Sequence, residues 1–497
     1  MKSRLLITLA FFLLTSCAFI LPPETKTTLG TDTQFWYQDS TLQNLLDVNT
    51  SSSLRTDNSV RLLVNGVSSF ARRYENIRSA TFIFVKTFLF TDDEAGREMA
   101  RVLAERAQAG IPVVLQYDVK GSIESATVVV DMFAQSTPML PFGEKRIIHE
   151  MRKAGVIIVP TNAPSRPYEL TEWTENIERL FQNPVAALKR SGESLILYDY
   201  CDHEKFFITG HEGGEIRAIV GGMNIAGEYA FGGIPDRRDT VSAKAGWHDV
   251  DVEVRGPAAA EICEEFLKDM RNQTGRELPS ILTEISNRYA AKPDSSYGEA
   301  TVRFVVHHPL VDRSRSVEEL YLILLKSTPA EEPIFIATAY FAPSKRIREA
   351  ITEHAKRGGK VIVLTNSLES NNHPILSVAA NFAALDIMEV TTNFQLYEWI
   401  PRPADGEETM HQKLASFGQN GPTIVGSFNL DAQSAVHNTE SVVLINDPTF
   451  RDNIDVLTQY YLSPACSKRV HREDLETKPI LNRIHSFLTH ELAWYWL

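Results

Sequence analysis

Apolar positions along this chain follow one grammar twice. Ile83 to Phe90 is a nearly unbroken apolar run, as in a strand covered on both faces. Asp92-Asp93-Glu94 then supplies the acids that open a helix, and an amphipathic stretch runs to Ala109 before Gly110 stops it. A second apolar run, Ile111 to Tyr117, follows at once. The same order returns later: strand Ile334 to Phe341, Pro343-Ser344 opening a helix, Gly358-Gly359, and strand Lys360 to Leu364. Strand, helix, glycine, strand is a βαβ unit. Two such units about 250 residues apart predict a duplicated α/β protein with a mostly parallel sheet in each half.

The polar, breaker-rich stretch Ala290 to Glu299, with Lys292-Pro293-Asp294-Ser295-Ser296, marks a boundary between the halves. The expected domains are therefore residues 46–290 and 300–480. The first half is longer by about 40 residues, within Thr161 to Glu193, where an insertion serves either as a lid or acceptor surface or as an inert helical decoration. Residues 481–497 close the chain with Trp494-Tyr495-Trp496, which either meets a membrane surface or packs back on its own domain.

The start of the chain has its own pattern. Lys2 and Arg4 precede a short apolar run, Leu5 to Leu14, that is too short to span a bilayer and fits a signal-peptide core. Leu14-Thr15-Ser16-Cys17 resembles a bacterial lipobox, so residues 1–17 read as a lipoprotein signal, Cys17 as the lipidated residue and 18–45 as a tether. The expected location is the cell envelope. The other cysteines, Cys201, Cys263 and Cys466, are too scattered for a disulfide framework or a zinc site. A net charge of −13 argues against a protein built to coat nucleic acid.

Candidate chemistry sits at matching places in the two halves. His203-Glu204-Lys205 is followed by Gly221-Gly222-Met223-Asn224, and His411-Gln412-Lys413 by Gly426-Ser427-Phe428-Asn429. On extended backbone, residues two apart share a face, so each His projects with its Lys. Thirteen histidines predict about half of one H-x-K triplet by chance, so a lone triplet is uninformative. His354-Ala355-Lys356 is such a triplet: it lies in a predicted helix, lacks the downstream asparagine, and reads as a solvated helix face.

At these residues the chain resembles the phospholipase D superfamily, whose H-x-K motif occurs twice per active site, and within it the bacterial cardiolipin synthases. Further phrases carry the likeness: Thr91 to Arg97, Trp247-His248-Asp249 leading to Gly256-Pro257, Tyr340-Phe341-Ala342-Pro343, and Gly426 to Asp431 through Asn438-Thr439-Glu440. The resemblance implies a duplicated α/β/α sandwich whose halves share one active site at their interface. It implies attack on a phosphodiester by one histidine, proton delivery by the other, and a phosphohistidine intermediate. Lys205 and Lys413 would hold the non-bridging oxygens, with Asn224, Asn429 and the Ser427 hydroxyl as neutral donors. Glu440 matches the acid that orients His411. For His203 the candidates are Asp249 and Asp251, and the Trp-x-Asp match favours Asp249. No cofactor and no metal is expected. Where the family pattern has an Asp five residues after the Lys, this chain has Gly210 and Gly418, a departure that points to a divergent branch.

The leading expectation is a phosphatidyltransferase acting on glycerophospholipids at a membrane surface. The alternatives are a phospholipase D hydrolase, a phosphodiesterase or nuclease of the same superfamily, and a catalytically dead scaffold. The last is disfavoured because both His, both Lys and both Asn are present. Nothing in the sequence tells which histidine is the nucleophile, or the oligomeric state.

Overall fold

The computed structural model describes residues 36–118, 121, 146–161, 201–234, 237–241, 245–274, 280–289, 297–309, 313–401 and 408–476. The expectations for the signal segment and Cys17, the 292–296 boundary, the insertion beyond Thr161 and the segment 481–497 lie outside the described residues.

The first half contributes strands β1 (Leu54–Val64), β2 (Phe82–Thr87), β3 (Val113–Asp118), β4 (Ile157–Thr161), β5 (Phe206–Gly210), β6 (Ile216–Gly221) and β7 (Val250–Arg255). The second contributes β8 (Ala300–His307), β9 (Ile334–Thr338), β10 (Val361–Asn366), β11 (Phe394–Trp399), β12 (Lys413–Phe417), β13 (Thr423–Gly426), β14 (Glu440–Asn446) and β15 (Ser467–Val470). Their hydrogen-bonded order is β15-β11-β10-β9-β12-β13-β14-β8-β1-β7-β6-β5-β2-β3-β4. Read outward from the β8–β1 pair, the two arms repeat each other strand for strand, and β15 is the addition at one edge. The duplication expected from the apolar pattern is therefore present in the topology.

The expectation of a mostly parallel sheet needs correction. Among the described strands only β2–β3, β3–β4, β9–β10 and β10–β11 pair in parallel, and the remaining pairs are antiparallel. The reason is local. The βαβ units make the parallel part, but β5, just after Lys205, and β12, which begins at Lys413, lead into short hairpins, Gly210 to Ile216 and Phe417 to Thr423, which can only reverse the chain.

The helix starts follow from their caps. The Asp93 carboxylate accepts from the Gly96 N–H at the head of helix Glu94–Gln108, and the Ser344 hydroxyl accepts from the Ile347 N–H at the head of Lys345–Lys356. Helices of the first half bury Met99, Leu103 and Phe70 on one face of their sheet, and those of the second bury Leu320, Ile351 and Ala383. A third apolar layer runs through both halves, from Phe82, Val220 and Val252 to Val425, Val443 and Trp399. A layer of this kind makes the two halves one folding unit.

Residues 36–45 are not a free tether. Helix Ser40–Thr50 buries Leu42 and Leu46, four apart on one face, with Trp36 and Tyr37 in the core of the second half. The chain thus crosses to the second half before it builds the first. Among the described residues no helix is long and apolar enough to cross a membrane.

Candidate active site

Both H-x-K segments lie where the two halves touch. His203 precedes β5 and His411 precedes β12, and each is stitched to the other half by backbone. The His203 N–H donates to the Thr439 carbonyl at 2.9 Å, and the Thr439 N–H to the Cys201 carbonyl at 2.9 Å. On the other side the His248 N–H donates to the Thr409 carbonyl at 2.9 Å and the His411 N–H to the His248 carbonyl at 2.6 Å. Thr439 and His248 are the residues before Glu440 and Asp249, so each bridge delivers an acid from one half to the histidine of the other.

The acids are consequently crossed relative to the sequence-based pairing. Glu440 orients His203, with both carboxylate oxygens 2.9 Å from Nδ1, and Asp249 orients His411 at 2.8 Å from Nδ1. Expecting Glu440 for His411 and Asp249 for His203 assumed that each half serves itself, and the interface reverses it. Asp251, the other candidate, accepts from Arg73 and Ser69 under the first-half sheet.

His203, His411, Asn224 and Asn429 line one cavity of about 660 Å³ with Phe88, Trp247 and Tyr340. A cavity of similar size, about 680 Å³, lies between β1 and helix Pro448–Tyr461, and none of the H-x-K residues lines it. Lys205 and Lys413 are buried beside their histidines, each donating to the carbonyl of its own H-x-K histidine, and Lys413 Nζ lies 3.0 Å from His411 Nε2. Asn224 Oδ1 accepts from the Leu89 N–H at 3.1 Å and its amide donates to the Tyr229 hydroxyl at 2.9 Å. Asn429 Oδ1 is buried with no hydrogen-bond partner.

Ser427 departs from expectation. Its hydroxyl is fully buried, donates to Glu440 and accepts from the Ser441 N–H at 3.0 Å, so it supports the acid and does not face the cavity. Ser434 at 2.7 Å and Asn438 at 3.4 Å also donate to Glu440. Burial alone would raise this carboxyl, but His203, Lys205 and the Ser427 donor together hold it below the usual range. Asp249 has fewer donors, the Val250 N–H among them, and burial pushes it up to about 8 against the pull of Lys413. Burial pushes His203 down to about 4, outweighing Glu440, and pushes His411 well below the ordinary imidazole range, with Lys413 and Lys205 adding to the effect. For the His411–Asp249 pair, burial moves both partners toward their neutral forms. It also lowers Lys205 to about 8 and Lys413 to about 7.

No motif marks the rings around the histidines. Trp247 and Tyr229 stand 5.2 Å from the His411 ring and Tyr340 6.4 Å, while Phe88 stands 5.1 Å from His203. Trp247 and Tyr340 did lie inside the phrases that carried the resemblance. His354 is no solvated residue: it is fully buried, with Nε2 2.8 Å from the Glu332 carbonyl, closing the helix C-terminus onto β9. The two glycines have separate causes. A Cβ at Gly210 would lie 2.0 Å from the Phe82 ring, whereas Gly418 has φ +68°. Among the described residues no cluster of His, Cys, Asp and Glu is arranged to hold a metal.

Residues 323–461 match the family model described as "Cardiolipin synthase, PLD-like domain". The chain is 25% identical over 400 residues to cardiolipin synthase A of Pseudomonas syringae, covering 80% of this chain and 67% of that one. It is 24% identical over 408 residues to cardiolipin synthase B of Escherichia coli, covering 81% of each. Phosphatidylserine synthase of Haemophilus influenzae shares the fold with a TM-score of 0.58 at 13% identity, over 92% of this chain and 100% of that one. With two H-x-K segments joined across one interface, the chain is similar to bacterial cardiolipin synthases over about four fifths of its length, and its second half matches their PLD-like domain.

Proposed function

We propose that this protein is a phosphatidyltransferase that moves a phosphatidyl group between alcohols on glycerophospholipids through a phosphohistidine. The observation that carries the reading is the pair of histidines in one cavity, each with Nδ1 held by an acid from the opposite half. The similarity to cardiolipin synthases supports the substrate class.

The two arms are unequal, and this suggests their roles. Glu440, held ionised, accepts a hydrogen bond from the Nδ1–H of neutral His203, which leaves the lone pair on Nε2, the form that attacks phosphorus. The His411–Asp249 pair holds a proton between Nδ1 and Oδ2. An anionic phosphodiester stabilises a second proton on His411 Nε2, from which the departing alcohol oxygen takes it. In the return step His411 accepts the proton of the incoming alcohol, whose oxygen attacks phosphorus and displaces His203. Lys205 and Lys413 neutralise the non-bridging oxygens, and the Asn429 amide offers a further polar contact.

The test is the product spectrum from phosphatidylglycerol vesicles. A transferase yields a diphosphatidyl product plus glycerol, and excess glycerol reverses the reaction. Phosphatidic acid as sole product makes the protein a hydrolase. Absent lipid turnover, with metal-independent cleavage of nucleic acid that needs both histidines, makes it a nuclease. Lipid anchoring at Cys17 belongs to the same proposal, because it holds the cavity near bilayer headgroups. Mass spectrometry of the mature N-terminus tests it, and an unmodified start elsewhere ends it.

A further inference from the structure

The H-x-K segment of the first half has a second side. Because side chains alternate on extended backbone, His203 faces the cavity while its neighbours Asp202 and Glu204 face the opposite way. There they meet Lys86 of β2, whose ammonium lies 3.1 Å from Asp202, against Glu204, and 2.8 Å from Asp269 of helix Pro257–Thr274. Lys86, Asp202 and Glu204 are each 3% exposed or less.

The register places more polar groups on the same face. Gln116 of β3 is opposite Lys86, and Thr161 of β4 is opposite Asp118, whose carboxylate accepts from the Asp202 N–H at 2.7 Å. Both amide atoms of Gln116 and one Glu204 oxygen are buried with no hydrogen-bond partner, and the Thr161 side chain bonds to Asp202. One buried ammonium thus faces three carboxylates in a polar chamber inside an otherwise apolar layer. This arrangement is costly for stability alone, since a buried charge group is readily replaced by apolar packing.

The duplicated half shows the replacement. Lys86 pairs with Phe206 and Ala337 with Leu414, each one residue past the H-x-K lysine, so Lys86 corresponds to Ala337. By the same register Gln116 corresponds to Leu364, Asp202 to Met410 and Glu204 to Gln412. The second half holds its segment with neutral groups: the Asn366 amide donates to the Met410 carbonyl at 2.7 Å and its oxygen accepts from the Met410 N–H at 3.0 Å.

We propose that Lys86 is a positioning residue for His203: it grips the acids on either side of that histidine from behind and fixes them to Asp269, so that the His203 ring is held against the Glu440 of the other half. The charge is used on this side only. Burial alone would lower the lysine, but Asp202, Asp269 and Glu204 outweigh it and keep Lys86 charged; burial also raises Asp202 and pushes Glu204 up to about 8, whereas Lys86 holds Asp269 below the usual carboxylate range, so Asp269 is the steadiest of the three counter-charges. Placement of the attacking nitrogen to within a fraction of an ångström is worth orders of magnitude in rate, which gives the costly cluster a purpose.

The inference rests on the proposed histidine chemistry, and its test reads histidine geometry apart from lipid turnover. In the full chain, Lys86→Met is compared with wild type by the rate at which diethylpyrocarbonate modifies each histidine, mapped by peptide mass spectrometry, and by kcat and KM on phosphatidylglycerol vesicles. The expected result is an at least tenfold change in His203 modification with His411 unchanged, and a fall in kcat of about 10²-fold with KM within about threefold. The double variant Asp202→Asn/Glu204→Gln leaves Lys86 balanced by Asp269 and keeps the fold if Lys86→Met does not. It should shift His203 selectively as well. A folded variant with wild-type His203 reactivity, or with His203 and His411 altered equally, overturns the proposal. Absent lipid turnover in wild type would overturn the functional reading and leave the modification rates to judge this one.

Discussion

Neutral imidazole is the nucleophilic form, and burial keeps both histidines in it far below pH 7. Each has a step the other cannot perform, so His203→Ala and His411→Ala should each lower kcat by at least about 10³-fold with the fold retained, measured by vesicle turnover and circular dichroism. The alkaline side belongs to the lysines. Lys205 and Lys413, lowered to about 8 and about 7, lose their protons as pH rises, and a neutral amine no longer attracts a phosphodiester. Accordingly kcat/KM should decline from about pH 7 and fall at least tenfold by about pH 9. A profile flat through that range would show that the lysines stay charged. The sign reverses for stability: His203, depressed in the folded state, contributes stability above its unfolded value of about 6.5 that is lost as pH falls toward about 4, and His411 acts in the same direction.

At the scale of elements, a helix end and a strand end separate the two kinds of H-x-K. The lone triplet at His354 belongs to a helix, where i and i+2 do not share a face, and its ring fills the contact between that helix and the chain entering β9. His354→Ala should leave kcat unchanged yet cost about 1–3 kcal/mol in urea unfolding, since it opens a cavity and orphans the Glu332 carbonyl. Gly210 makes the complementary point. The family pattern's Asp is sterically excluded there by the Phe82 ring, which packs against the end of β5.

For the whole molecule, the crossed acids matter most. Glu440→Gln should lower kcat by about 10²–10⁴-fold, in line with loss of an orienting carboxylate elsewhere. In nitrogen NMR of labelled histidine it should move the His203 Nδ1 resonance and leave His411 in place. Movement of His411 instead would restore the uncrossed pairing. The same exchange explains why the halves fold as one. Backbone bridges at Thr439 and His248, the β8–β1 pairing and the shared apolar layer all cross the boundary, so neither histidine is complete without the opposite half.

Much of this was legible in one dimension because it is local. The strand-helix-strand repeats, the caps at Asp93 and Ser344, the His-Lys pairs and the following asparagines are set by periodicity and short spacing, and the duplicated motif carried the resemblance to the phospholipase D superfamily. What one dimension withheld is contact between segments far apart in the chain. Asp249 and Glu440 are each an acid at the head of a strand, and nothing along the chain says which histidine either will face. That was decided by how the two halves pack, as were the burial that lowers the lysines, the Ser427 hydroxyl's turn toward Glu440, and the ammonium of Lys86 beneath His203. Side-chain period fixes which face a residue takes, but the partner on that face is chosen only by tertiary packing.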